Sequence, residues 1–191
     1  IQRLQLRIKR IMDRIRGYSE GNRVNYHAMK ITMVPDLTKE KKYLKLLDLC
    51  SERPIKSILD VGCFNGWLSN ALADKGYKVT GTDIGREALE LARHESEKRS
   101  NNATFEYCNN SDIGKTYSQK FDAVVCFDVL EHVLDPKVLI NNLETACKPD
   151  GWIFINIPNG AWHQGNMDTE DDNLWEHAHS YEYKDVIKMF A

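Results

Sequence analysis

The chain has 191 residues and a mass of 22.1 kDa, a length that fits one domain. Hydrophobic residues make up 42% and charged residues 28%, which excludes a largely disordered or fibrous chain, and no apolar run approaches the ~20 residues of a membrane span. The formal net charge of −2 provides no overall field that would recruit nucleic acid.

Two helical segments are predicted before the main domain. The first carries basic residues between apolar side chains at a helical spacing, at Leu4, Ile8, Ile11 and Ile15. Such a helix either docks on the domain, on a partner domain or subunit, or contacts an anionic surface. The second runs from Asp36 to about Ser51. We therefore expect a helical extension over residues 1–53 and the main domain over 54–191, and the start at Ile1 without Met leads us to expect a piece of a longer polypeptide.

Short apolar runs then alternate with helical segments. Strands are predicted at 57–61, 77–82, 103–108, 121–127 and 152–157, with helices at 66–75, 86–98 and 136–147. This alternation predicts an α/β fold, a doubly wound and mostly parallel sheet with helices on both faces. A long polar loop follows at 159–176, and 181–190 returns to helical spacing. Trp67 and Trp152 are predicted to lie in the core.

The five cysteines are scattered and odd in number, and no C-x-x-C pair occurs. This pattern predicts reduced, mostly buried thiols in a cytoplasmic protein, and it argues against both a disulfide framework and a zinc site.

The turn after the first predicted strand is the most informative segment. The sequence from Asp60 to Gly66 reads D-x-G-x-x-x-G, with Gly62 as its first glycine. A dinucleotide site needs G-x-G-x-x-G, and Phe64 and Trp67 occupy the later glycine positions, so NAD or FAD is disfavoured. An acid two places before the glycine repels a pyrophosphate but suits a cationic ligand.

A second acid, Asp83, ends the second predicted strand. A carboxylate there is placed to accept two hydrogen bonds from a ribose diol, and Ile84 to lie against a purine face. Asp83 is also suited to cap the helix that starts near Gly85, so both interpretations stay open.

Several segments together resemble the class I S-adenosylmethionine-dependent methyltransferases, in the motif order of that family. They are Asp60–Gly66, Asp83, Phe121–Val133 and Leu143–Trp152. The resemblance covers about residues 55–190 and is greatest to small-molecule enzymes such as the ubiquinone-biosynthesis O-methyltransferase group. It implies a Rossmann-like methyltransferase fold, in which Phe64 stands where the family often has a third glycine. The final strands of that fold are expected to be missing from this chain or to lie downstream.

The resemblance also implies roles for particular residues. The methionine end of S-adenosylmethionine would lie against Asp60, Gly62, Cys63 and Gly66, and Asp83 and Ile84 would hold the ribose and adenine. Asn109 and Asn110, with Ser111 and Asp112 as alternatives, follow the third strand where the family binds the adenine amine. Phe127 and Asp128 would lie beside the methyl donor. The product would be S-adenosylhomocysteine.

A hydroxyl acceptor benefits from a base, and His132 and Asp128 are the catalytic candidates. His132 is also well placed for a purely structural role. The order Asp128-x-x-Glu131-His132 resembles the metal motif of some small-RNA and quinone-precursor O-methyltransferases, and His177 and His179 would complete such a set. We expect no divalent metal, because the same residues occur in relatives that use none.

The expected activity is methyl transfer to a small-molecule or sugar-linked acceptor, most often at oxygen. The alternatives are nitrogen or carbon methylation, a macromolecular acceptor, and a non-catalytic nucleoside-binding module. The loop at 159–176 is expected either to form an aromatic lid over the acceptor or to pack against the domain, and its acidic residues disfavour nucleic acid as a partner.

Overall fold

Strands and helices alternate through the residues described by the computed structural model, which are 39–157 and 181–190. The strands are β1 (Ser57–Val61), β2 (Lys78–Asp83), β3 (Thr104–Tyr107), β4 (Phe121–Phe127) and β5 (Cys147–Asn156). The helices are α1 (Lys41–Ser51), α2 (Trp67–Ala73), α3 (Arg86–Arg99), α4 (Ile113–Tyr117), α5 (Pro136–Ala146) and α6 (Tyr183–Met189), and a 3₁₀ turn covers Leu130–His132.

The five strands form one parallel sheet in the order β3-β2-β1-β4-β5. The chain winds outward from β1 to β3 and then returns to place β4 on the other side of β1. The order therefore reverses between β1 and β4, and this is the point at which open α/β sheets bind ligands beyond the carboxyl ends of their strands. The doubly wound parallel sheet predicted from the sequence is confirmed.

Alternating side chains of the central strands bury both faces of the sheet. Ile58 of β1 packs with α1 and α2 on one face, and Leu59 packs with α4 and α5 on the other. Central strands covered on both faces need continuous apolar runs, and Val124 and Val125 of β4 are both fully buried for this reason. The two helical layers leave the carboxyl ends of the strands accessible for a site.

Four local features differ from the sequence prediction. The short helix α4 and the 3₁₀ turn were not predicted, because each is less than two turns long and carries no periodic signal. Strand β5 begins at Cys147, five residues earlier than predicted, with an irregular pairing to β4. Trp152 is 41% exposed and lies beneath the guanidinium of Arg53, 4.2 Å from Cζ to the ring centre, so its predicted place in the core is wrong.

Some sequence predictions fall on residues outside the described ranges. These are the basic helix near the N-terminus, the loop at 159–176, and His177 and His179. The division at residues 53 and 54 also stays a prediction.

All five cysteines are buried with free thiols. Within the described residues, each helix is too short or too polar to cross a membrane.

Candidate functional site

The turn between β1 and α2 is held in an unusual backbone conformation. Gly62, Phe64 and Gly66 all have positive φ, at +74°, +51° and +73°. Glycine adopts this region without a steric cost, whereas a bulky residue such as Phe64 is an outlier there. The two flanking glycines thus have the positive φ that suits glycine, and the backbone at Phe64, where the family often has a third glycine, is also left-handed.

This turn is tied to β2 by hydrogen bonds. The N–H groups of Gly62 and Cys63 both donate to the carbonyl of Thr82, at 2.8 and 2.9 Å. The N–H of Phe64 donates to Asp83 Oδ2 at 2.8 Å, and the N–H of Gly85 donates to Oδ1 at 2.7 Å. Asp83 therefore joins the first turn to the start of α3. Each carboxylate oxygen keeps a second lone pair for a ligand, so both interpretations of Asp83 are compatible with this geometry.

Asp60 lies beneath the same turn and is only 2% exposed. Ser69 of α2 donates its hydroxyl to Asp60 Oδ2 at 2.5 Å. Burial raises the pKa of Asp60 to about 6, opposed by the Ser69 hydrogen bond and reinforced by the negative charge of Asp83. A buried acid near a second acid creates a negative potential at this end of the sheet, which favours a cation.

The glycines also allow close packing around the turn. A Cβ on Gly62 would lie 2.3 Å from Cγ2 of Val129, and one on Gly66 would lie 2.6 Å from Cβ of Ala92. Gly62 thereby lets the chain after β4 approach the end of β1. The Val129 side chain therefore packs directly against the end of β1, at the reversal of strand order.

The opposite wall is centred on Asp128, directly after β4. This residue has a φ of +56°, and its N–H donates to the carbonyl of Asn156 at 2.9 Å. Asn156 Nδ2 donates to Asp128 Oδ1 at 2.6 Å, and Lys42 Nζ of α1 forms an ion pair with Oδ2. The Lys42 ammonium also lies 6.0 Å from the centre of the Trp67 ring, at the start of α2. Lys42 therefore lies between Asp128, directly after β4, and Trp67, at the start of α2.

Phe127, which ends β4, is half-buried beside Asp128. His132 is exposed at the end of the 3₁₀ turn, whereas its neighbour Glu131 is 2% exposed. No group of three potential metal ligands occurs within residues 39–157 and 181–190. The side chains of His132 and Glu131 thus differ sharply in exposure.

The far end of the crevice is formed by the segments after β2 and β3. Ile84 is 58% exposed, Asn109 is exposed and Asn110 is half-buried. The guanidinium of Arg86 stacks on Tyr107, with Cζ 4.1 Å from the ring centre. An exposed apolar side chain and amide groups at this end offer a stacking surface and hydrogen bonds.

Sequence reasoning did not identify Lys42 or Asn156. Lys42 lies 86 positions before its partner Asp128 and has no motif around it. Asn156 ends β5 in the structure but lies inside the strand predicted at 152–157, so the strand-end rule that selected Asp83 did not select it.

Comparison with known proteins agrees with this geometry. The family model described as methyltransferase domain matches residues 36–190. The ubiquinone biosynthesis O-methyltransferase of Hydrogenovibrio crunogenus is 38% identical over 104 residues, which are 54% of this chain and 43% of that protein. The enzyme of the same name from Idiomarina loihiensis is 32% identical over 136 residues, which are 70% of this chain and 56% of that protein. The chain spans about half the length of these curated relatives.

Among solved structures, the magnesium protoporphyrin IX methyltransferase of Synechocystis PCC 6803 with bound SAH gives a TM-score of 0.65 at 21% identity. The match covers 93% of this chain and 80% of the other. At this level of identity the likeness shows a shared fold.

Proposed function

Because this chain belongs to the class I S-adenosylmethionine-dependent methyltransferase family, we propose that it transfers a methyl group from S-adenosylmethionine to an oxygen atom of a small molecule. The observation that carries the proposal is the pair of acids at neighbouring strand ends, Asp60 and Asp83, on either side of the positive-φ turn. When bound, S-adenosylmethionine supplies a reactive methyl group on a positively charged sulfur. The buried negative charge and the glycine turn fit such a cationic nucleoside.

We assign the cofactor end of the crevice residue by residue. Asp60, Gly62, Cys63 and Gly66 would face the methionine portion, and Phe127 would pack beside it. Asp83 would accept hydrogen bonds from the ribose hydroxyls through its remaining lone pairs, with Ile84 against the adenine. Asn109 and Asn110 would bind the adenine amine. The exposure of Ile84 and Asn109 supports this assignment, because both are accessible to a ligand.

The acceptor end contains the candidate bases. We propose that His132 or Asp128 takes the proton of the acceptor hydroxyl, since the exposed imidazole and the partly exposed carboxylate both lie after β4. The remaining contribution of the protein is alignment of the acceptor and exclusion of water. His132→Gln is expected to lower kcat with little change in the affinity for S-adenosylhomocysteine, whereas a purely structural histidine would change the melting temperature and leave kcat per folded molecule unchanged.

Oxygen is preferred over nitrogen or carbon as the accepting atom because the relatives that match are named O-methyltransferases. We propose that no divalent metal takes part. Activity that survives EDTA treatment supports this, and loss of activity that Mg²⁺ or Mn²⁺ restores would contradict it.

Two further parts of the proposal concern context. A cytoplasmic location is supported by the five buried free thiols, which suit a reducing compartment. The acceptor is a small molecule, and nucleic acid is not expected as a partner. The basic N-terminal segment remains a proposed contact to a partner domain or subunit.

Calorimetry with S-adenosylhomocysteine tests the proposal directly. Ligand at 100 times its dissociation constant should add about 2.7 kcal/mol to the free energy of unfolding. Asp83→Ala should lose most of this stabilisation, and Asp48→Asn, on the exposed side of α1, serves as the control. A melting temperature unchanged at millimolar ligand would contradict the proposed cofactor site.

Identification of the acceptor needs a separate experiment. Incubation with isotopically labelled methyl donor and a metabolite extract, followed by mass spectrometry, should yield a labelled O-methyl product. The Asp83→Ala protein should yield none.

A further inference from the structure

We infer that Lys42 and Asn156 are specificity-determining residues: the Lys42 ammonium cancels the charge of Asp128 and the Asn156 amide donates to the same carboxylate, so that the crevice accepts uncharged or anionic oxygen compounds and rejects cationic amines. This inference rests on the proposed function and concerns only the acceptor end of the same site.

Both oxygens of Asp128 have a donor from a different element. Oδ2 pairs with the Lys42 ammonium from α1, and Oδ1 accepts from Asn156 Nδ2 of β5 at 2.6 Å. The backbone of Asp128 is held as well, since its φ is +56° and its N–H is bonded to Asn156. Two segments distant in sequence, α1 and β5, thus fix one carboxylate in place.

The three groups lie where an acceptor would bind. Asp128 follows β4 directly, and the next residue, Val129, packs against Gly62 at the end of β1. Lys42 and Asp128 keep 28% and 40% of their side-chain surface exposed, so both are accessible to a ligand. Trp67, which opens the helix after the glycine turn, lies beneath the Lys42 ammonium.

Charge decides what this arrangement can bind. An uncompensated carboxylate at this position would attract an ammonium group and hold it protonated. Paired with Lys42, Asp128 presents no net charge, and the ammonium still has two N–H donors for an oxygen atom. An amine entering the crevice would have to displace Lys42 or approach it, and like charges at short distance repel.

Three aromatic probes of similar size measure this preference, namely benzylamine, benzyl alcohol and benzoate. Their dissociation constants at pH 7 would be obtained from amide chemical-shift titrations up to 50 mM with S-adenosylhomocysteine saturating. The wild-type protein should bind benzyl alcohol or benzoate at least tenfold more tightly than benzylamine. Perturbed signals should include residues after β4.

The variants should shift the preference in opposite directions. Lys42→Met leaves Asp128 uncompensated and should improve benzylamine binding at least tenfold relative to benzoate. Asp128→Asn leaves Lys42 uncompensated and should improve benzoate binding relative to benzylamine. Asn156→Ala should shift the ratio toward benzylamine by a smaller factor. Lys45→Met, the same charge change at an exposed site of α1, should leave the ratio unchanged.

Different results would contradict the charge inference and the proposed function. Normal binding of S-adenosylhomocysteine with equal affinities for all three probes, or with no saturable probe binding, would overturn the charge inference alone. A shift in the same direction for Lys42→Met and Asp128→Asn would overturn it as well. Failure to bind S-adenosylhomocysteine would instead overturn the proposed function.

Discussion

At the scale of single residues, Asp83 has two structural bonds in addition to its proposed role toward the ribose. Its oxygens accept from Phe64 and Gly85, so the residue sets the shape of the first turn and the start of α3. An amide in its place turns one acceptor into a donor, which would then face a backbone N–H.

Asp83→Asn should therefore lower the free energy of unfolding by about 1–3 kcal/mol. It should also reduce the affinity for S-adenosylhomocysteine roughly tenfold. Chemical denaturation and calorimetry measure the two effects, with Asp48→Asn as the control. Weaker binding with unchanged stability would show that the two backbone bonds contribute little.

Gly62 lies in close contact with Val129, the second residue after β4. Gly62→Ala should lower the free energy of unfolding by at least about 2 kcal/mol, because alanine is strained at this φ and its methyl group would collide with Val129. The double variant Gly62→Ala with Val129→Ala removes the collision and keeps the strain, so it should recover part of the loss. Denaturation curves that show no recovery would mean that the backbone conformation accounts for the whole cost.

At the scale of elements, much of the fold could be predicted from the sequence. Strands β1 and β4 were located to the residue because their apolar runs end at turn residues, and α3 within one residue because of its length. The boundary of β5 was misplaced because Lys148, Pro149 and Asp150 read as a turn. The pairing of that segment with β4 depends on contacts across the sheet that the local sequence does not contain.

Asp122 connects three of these elements at the amino ends of the strands. Its carboxylate accepts from the backbone of Lys56 and Ser57, from the Ser57 hydroxyl, and from Lys148 Nζ at 2.6 Å. Burial alone raises its pKa, but the hydrogen bonds from Lys148, Ser57 and Lys56 outweigh burial and hold the pKa of Asp122 well below its usual range.

The stabilisation from Asp122 is full above the unfolded pKa of about 4 and is lost as the pH falls toward the lower folded value. Asp122→Asn should therefore lower the free energy of unfolding by about 2 kcal/mol at pH 7. The difference in stability from wild type should shrink below pH 4. Urea denaturation across this range measures the difference, with Asp150→Asn at the neighbouring exposed site as control. A difference that stays constant down to pH 2 would contradict the assignment.

At the scale of the whole molecule, the candidate site reduces the stability of the fold that supports it. Asp60 is buried with a pKa raised to about 6, so its ionised form destabilises the native state above that pH. The penalty is relieved as the pH falls from about 6 to the unfolded value near 4. Its pH dependence is thus opposite in sign to that of Asp122, at the other end of the sheet.

Asp60→Asn keeps the size of the side chain and its bond to Ser69 but removes the charge. At pH 8 the variant should be more stable than wild type by roughly 2 kcal/mol, and the gain should fade toward pH 4. Its affinity for S-adenosylhomocysteine should fall, because the negative potential under the turn is weaker. Thermal denaturation from pH 4 to 8 checks the first expectation, and a variant less stable than wild type at pH 8 would contradict it.

Sequence reasoning could identify Asp60 and Asp83 because both follow from strand ends and glycine spacing. It could not find the contact between Lys42 and Asp128, since that pair depends on how α1 lies across the finished sheet. Sequence motifs reflect the local conformation that the backbone must adopt. An ion pair between distant segments depends instead on the tertiary structure.

The five buried thiols allow unfolding to be followed by mass spectrometry. Burial raises the pKa of Cys63 and Cys126, so iodoacetamide should alkylate them only when the surrounding structure opens. Cys63 lies in the first turn, whereas Cys50 lies in α1. Site-resolved mass increments would therefore distinguish local opening at the first turn from global unfolding, with no cysteine introduced by mutation.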